Sequence, residues 1–279
     1  DIYYTNGALT HQDYDLETIQ PIGIVGYITM NNDGNYWTEK GTTKTDGIGG
    51  HALVMCLRNV DSAGSTQEAL DDYDQHGFST KVNNYIGKTF QFLTYRTPSV
   101  RPCIDSKGDI VNSFNNAKGS GYTETNALIS IYGKNAPAAF YAKSYTTLYP
   151  TSDLCTGWFL PSAGQYYAVM SNLGAPFSED WSGIAFGKNE GYFKNMTQIT
   201  SNINKKMKIV GDFNYTEFFG RIAKSAWTSS ENSNRYDCNA IGLLSRGAQE
   251  GAIRFVSYMG NGDGWNTDQY YHIRPFLAF

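Results

Sequence analysis

A chain of 279 residues is long enough for one large domain or two modest ones. Its hydrophobic fraction of 41% against 17% charged residues excludes a disordered polymer. A formal net charge of −4 with no basic block argues against nucleic acid as a partner, because such binding needs clustered Lys and Arg to displace counterions.

In chain order, Ile2-Tyr3-Tyr4 followed by Asn6-Gly7 predicts a short strand and a turn. The β-branched and aromatic run over 21–28 predicts a central strand, and Asn31-Asn32-Asp33-Gly34 a turn. A second apolar strand is expected over 51–57. Residues 60–89 are polar, rich in Gly, Asp and Ser and without clear periodicity, so an irregular insertion with at most one helical turn is expected there. Ala127, Leu128 and Ile131 take helical spacing, and Pro137 suits the first turn of a new helix, which predicts a kinked or split helix within 123–144. Another helix is expected from Pro161 and Ser162, with Ser162 as cap, Tyr166, Val169, Met170 and Leu173 on one face and an end near Gly174. A third, weaker one spans 198–209 through Ile203 and Met207. Strand patterns return over 240–244, 252–258 and 270–276. Strands, then helices, then strands give an α+β class in one domain over residues 1–279, with two main helices, short and mostly antiparallel strands, and the insertion at about 60–90.

No apolar run approaches the roughly 20 residues that cross a bilayer, so membrane insertion of this segment is not expected. Asp1 is not an initiator residue, and the chain is read as a processed or trimmed form. Cys56 lies in an apolar run and reads as a small buried hydrophobe, whereas Cys103 and Cys155 stand in polar segments and are the favoured bonded pair; Cys238 completes the set. No Cys-x-x-Cys pair suggests structural zinc. His11, His51, His76 and His272 are scattered without metal-ligand spacing. There is no Gly-x-Ser-x-Gly elbow and no P-loop. The adjacent acids Asp71-Asp72 and Glu179-Asp180 read as solvated turn residues.

Three motifs in order carry a family likeness: Thr156-Gly157-Trp158-Phe159-Leu160-Pro161-Ser162-Ala163-Gly164-Gln165, Trp227-Thr228-Ser229-Ser230-Glu231, and Ile273-Arg274-Pro275-Phe276-Leu277-Ala278-Phe279. Together they resemble the C-type-lectin-like domain of the formylglycine-generating-enzyme type. Such domains occur in surface and fimbrial tip proteins of gut bacteria and in variable proteins whose C-terminal segment is mutated by a diversity-generating retroelement. The likeness implies a C-type-lectin-like fold whose N- and C-terminal strands pair, and whose C-terminal segment 226–279 presents ligand. It also implies a cell-surface or secreted location, associated with the outer membrane or a pilus. The enzymes of that family use two reactive cysteines near the C-terminus. Cys238 stands there without a second, so catalysis is not expected.

Within that segment the polar and aromatic residues are Asn232, Ser233, Asn234, Arg235, Tyr236, Asn239, Asn261, Asp263, Trp265, Asn266, Thr267, Gln269 and Tyr270. Aromatics supply contact area at low entropic cost and small polar residues supply hydrogen bonds, as in adaptable binding surfaces. The same composition also describes a solvated loop, and both readings stand. Trp265 follows Gly262-Asp263-Gly264, where a turn is expected, so it either stacks on a ligand or folds back over the core. Trp158, Pro161 and Trp227 are read as framework. Glu231 is read as a loop-bonding acid and Arg274 as its partner in an ion pair.

No cofactor is expected. A Ca2+ site stays open, since Asn261, Asp263, Asn266 and Asp268 can offer oxygens. The partners implied are a host or bacterial surface protein or a glycan, or other pilus subunits. The alternatives are a structural pilus or fimbrial subunit and a degenerate enzyme relative.

Overall fold

A computed structural model of the protein describes residues 2–4, 9–10, 20–28, 52–93, 121–151, 155–174, 184–186, 190–193, 196–212, 214–219, 221–222, 225–234, 237–246, 252–257 and 270–278. Helices and antiparallel sheets are mixed, giving an α+β fold. The strands are β1 (Ile2–Tyr4), β2 (Leu9–Thr10), β3 (Pro21–Ile28), β4 (Ala52–Cys56), β5 (Ile184–Phe186), β6 (Glu190–Phe193), β7 (Ser225–Asn234), β8 (Asp237–Arg246), β9 (Ala252–Ser257) and β10 (Phe276–Ala278). The helices are α1 (Thr66–His76), α2 (Thr80–Ile86), α3 (Gly121–Tyr132), α4 (Pro137–Leu148), α5 (Ala163–Gly174) and α6 (Met196–Gly211). One five-stranded sheet runs β10-β4-β3-β1-β2 and a second β5-β6-β9-β8-β7.

β4 is buried on both faces, which explains why it is an unbroken apolar run rather than an alternating one. Successive residues of a strand point to opposite faces. Leu53, Met55 and Leu57 therefore enter one core with Tyr166, Val169 and Met170 of α5 and Ile199, Ile203 and Met207 of α6. Ala52, Val54 and Cys56 enter a second core with Leu128 of α3, Ala138, Ala139, Ala142 and Tyr145 of α4, Trp158 and Trp227. α5 approaches β3 closely at Gly26, where an added Cβ would lie 2.7 Å from the Val169 methyls. The register of β3 against β4 shifts at this point, between Val25 and Tyr27.

The split helix forms as its sequence requires. α3 ends in a 3-10 turn at Gly133–Asn135, and Pro137 opens α4 at a position where its missing N–H costs nothing. At the start of α5, Ser162 Oγ accepts from Gln165 N–H (3.2 Å) and Gln165 Oε1 accepts from Ser162 N–H (2.9 Å), a reciprocal capping box. Pro161 stands before that cap rather than in the first turn. The weak third helix is α6, longer at both ends than its apolar spacing suggests.

Three expectations are corrected. The insertion at 60–90 contains two helices rather than a single turn. α1 and α2 share a small core of Ala69, Val82, Ile86 and Ile222. They are also locked by Ser79, whose hydroxyl accepts from Val82 N–H and donates to Asp72 (2.6 Å). The terminal strands do not pair: β10 lies against β4, and β3 and β4 separate it from β1. Of the strand expected at 270–276 only Phe276 lies in one, β10, which runs on to Ala278; Tyr271 and His272 make isolated bridges, and Pro275 has no N–H to give a ladder. Ile273 and Pro275 instead turn their carbonyls to Val60 N–H and Cys56 N–H, both at 2.9 Å.

Candidate functional site

The three motifs converge. Trp158 is buried, donates from its indole N–H to Tyr149 O (3.0 Å) and meets Tyr145 edge-on. Trp227 is equally buried and stacks on Tyr271 with ring centroids 4.5 Å apart. Its indole N–H donates to Phe90 O (2.6 Å) and its backbone N–H to His272 O (2.9 Å). Phe90 and Tyr271 exchange two backbone hydrogen bonds, so the chain leaving the insertion is tied to the residue after Tyr270.

Arg274 is buried, and its guanidinium donates to four carbonyl oxygens: Cys56 and Leu57 from one NH2 group (3.1 and 3.0 Å), Thr216 and Glu217 from the other (2.8 and 3.0 Å). Its ring neighbour is Phe218, 5.9 Å away. Burial pulls its pKa down, and the nearby Tyr166 hydroxyl opposes that pull. Among the described residues Arg274 thus finds four carbonyl oxygens; the expected pairing with Glu231 rests on a side chain that lies outside them. A planar fork with several donors suits two pairs of carbonyls better than a point charge would.

The candidate ligand residues divide. Asn232, Ser233 and Asn234 are in β7 and Asn239 in β8, where Asn232 stands opposite Asn239, Ser233 opposite Cys238 and Asn234 opposite Asp237. Within the described residues β9 pairs with β8 only from Ile241 to Arg246, so 231–234 and 237–240 pair as a two-stranded ribbon beyond that ladder. Tyr270 is 53% exposed although Tyr271 and every residue from there to Ala278 is buried. Arg235, Tyr236, Asn261, Asp263, Trp265, Asn266, Thr267 and Gln269 lie outside the described residues, as do Cys103 and its expected bond to Cys155. Cys56 is a buried thiol whose pKa burial pushes up, which suits packing rather than nucleophilic chemistry.

Between core and ribbon, β7 is irregular. Trp227 pairs with Gly242 and Glu231 with Ala240, so Thr228, Ser229 and Ser230 together oppose Ile241 alone. Thr228 and Ser229 are fully buried in this bulge. Ser229 N–H donates to Pro161 O (2.9 Å), joining the second motif to the first, and Ser229 Oγ donates to the carboxyl of Glu124. Glu124 is buried in the first turn of α3. The neighbouring Thr125 hydroxyl donates to Leu160 O (3.1 Å) and accepts from Leu160 N–H (3.0 Å). α3 can approach this closely because residue 121 is Gly: a Cβ there would lie 2.9 Å from Ser162 N and 3.0 Å from Leu160 O. Sequence reasoning missed Glu124, because an acid in a first turn ordinarily complements the helix dipole at the surface.

Among the described residues no group of three His, Cys, Asp or Glu side chains is placed to hold a metal ion, and no helix is long and apolar enough to cross a membrane. No protein-family model matches the chain, and no curated protein does. Among solved structures, it is similar to a fimbrial protein from Bacteroides ovatus at 17% sequence identity and a TM-score of 0.49, over 100% of this chain and 48% of that one. The chain spans about half the length of that protein.

Proposed function

We propose that the chain is a non-catalytic, ligand-binding domain of C-type-lectin-like type, displayed at a bacterial cell surface or pilus tip. Its C-terminal segment contacts a surface protein or a glycan. The observation that carries this reading is the division of labour within 226–279. Trp227, Thr228, Ser229 and 271–278 are committed to the interior, while 231–234 and 237–240 pair beyond the ladder and Tyr270 is exposed next to the buried Tyr271. The binding residues are Asn232, Ser233, Asn234, Arg235, Tyr236 and Asn239, and further along the sequence Asn261, Asp263, Trp265, Asn266, Thr267, Gln269 and Tyr270. No bound cofactor takes part.

The test is an array of glycans and surface proteins probed with the intact chain, then with Trp265→Ala and with Asn232→Ala combined with Asn239→Ala. Binding to one ligand class is expected. Loss of roughly tenfold or more in affinity is expected for each variant, without a change in thermal midpoint. Binding should persist in a chelator. Absence of any ligand, or unaltered binding by both variants, would overturn the reading; loss in chelator would replace the cofactor-free version with a Ca2+-bridged one.

A further inference from the structure

We infer that Glu124 is a positioning residue for the ligand ribbon. By holding the β7 bulge it sets the direction in which the paired residues 231–234 and 237–240 leave the core. Bulges bend a strand, increase its local twist and terminate or re-aim pairing. Here three residues of β7 oppose one of β8 at the point where the buried part of the hairpin becomes the ribbon. Such a bulge leaves backbone and side-chain polar groups outside the regular ladder, and inside a protein these need partners. Ser229 finds two that come from different elements: Pro161 O before α5 and the Glu124 carboxyl in α3. Both Ser229 and Glu124 are buried, so water does not substitute for this contact. α3 is itself fixed to the same turn through Thr125 and Leu160 and by the close approach at Gly121. Glu124 therefore transmits the position of a rigid helix to the root of the ribbon. Its importance for ligand binding rests on the proposed function, whereas its control of ribbon geometry does not.

Amide hydrogen exchange on the intact chain tests this without a ligand, comparing residues 231–240 with 52–56 of β4. Glu124→Ala leaves the Ser229 hydroxyl without its acceptor, and exchange across 231–240 should accelerate roughly tenfold while β4 is unchanged. Glu124→Gln keeps an acceptor oxygen and should restore protection. If Glu124→Ala does not fold, Ser229→Ala reads the same contact from the other side, with the same ribbon-confined acceleration expected. Unchanged ribbon exchange in the variant that folds, or an equal acceleration in β4, would overturn the assignment. Failure to find any ligand would instead overturn the functional reading and leave this result standing.

Discussion

His272 shows how one buried side chain makes this fold sensitive to acid. Its Nδ1 lies 3.3 Å from Lys88 O, which accepts from the Nδ1–H of the neutral ring. Burial pulls its pKa down to about 4, the Arg274 charge adds to that pull, and the Lys88 carbonyl opposes it. In the unfolded chain the imidazole returns to about 6.5. Between those values the unfolded chain holds a proton that the folded chain does not, so stability falls as pH drops. The His272 contribution is fully present above about pH 6.5 and is lost as the pH falls towards about 4, a difference on the order of 3 kcal/mol. Unfolding free energies of the parent and His272→Gln, measured from pH 7.5 to 4.5, should diverge, with the variant losing less. Parallel curves would show that His272 is not the group responsible.

Among the elements, α5 depends most on a local sequence signal, and that signal is buried. Ser162 and Gln165 satisfy each other's backbone N–H groups inside the core, where water cannot replace a missing partner. Ser162→Ala leaves the Gln165 N–H without its acceptor and should destabilise the protein by about 1–2 kcal/mol. In urea the midpoint should fall with an unchanged slope. A midpoint equal to the parent would mean that the helix start is held by its packing alone. α5, the break at Pro137 and the central position of β3 were all legible in the sequence, because capping, proline geometry and apolar periodicity are local properties. α1 and α2 were not, because their shared core draws Ile222 from a distant loop and their own surfaces are mostly polar. Strand order was equally out of reach: β1, β3 and β4 carry similar apolar patterns, and nothing in such a pattern selects a neighbour. For the candidate site, Trp158 and Trp227 were readable as framework from their motifs. Ser229 and Glu124 are partners separated by 105 residues, and their contact exists only once α3 is placed against β7.

For the molecule as a whole, residues 271–278 act as a seam. Tyr271 pairs with Phe90, His272 with Trp227, Ile273 with Val60, Pro275 with Cys56, Phe276 with Phe159 and Ala278 with Thr156. Arg274 adds four carbonyls, from the last residue of β4 and the one after it and from the segment after α6. Each of these eight residues is buried, and Phe276 and Leu277 fill opposite cores. Ending the chain after Tyr270 should therefore remove the cooperative transition altogether, because the deletion opens both cores and orphans the Arg274 carbonyls at once. The loss of such groups exceeds the ~5–15 kcal/mol by which domains are stable. Near-UV circular dichroism through a thermal scan checks this, and a sharp transition within about 5 °C of the parent would refute it. The contrast with Trp265→Ala is the useful part. On the proposed function Trp265 serves a ligand rather than the interior, so its substitution should spare the fold that a nine-residue deletion from Tyr271 destroys.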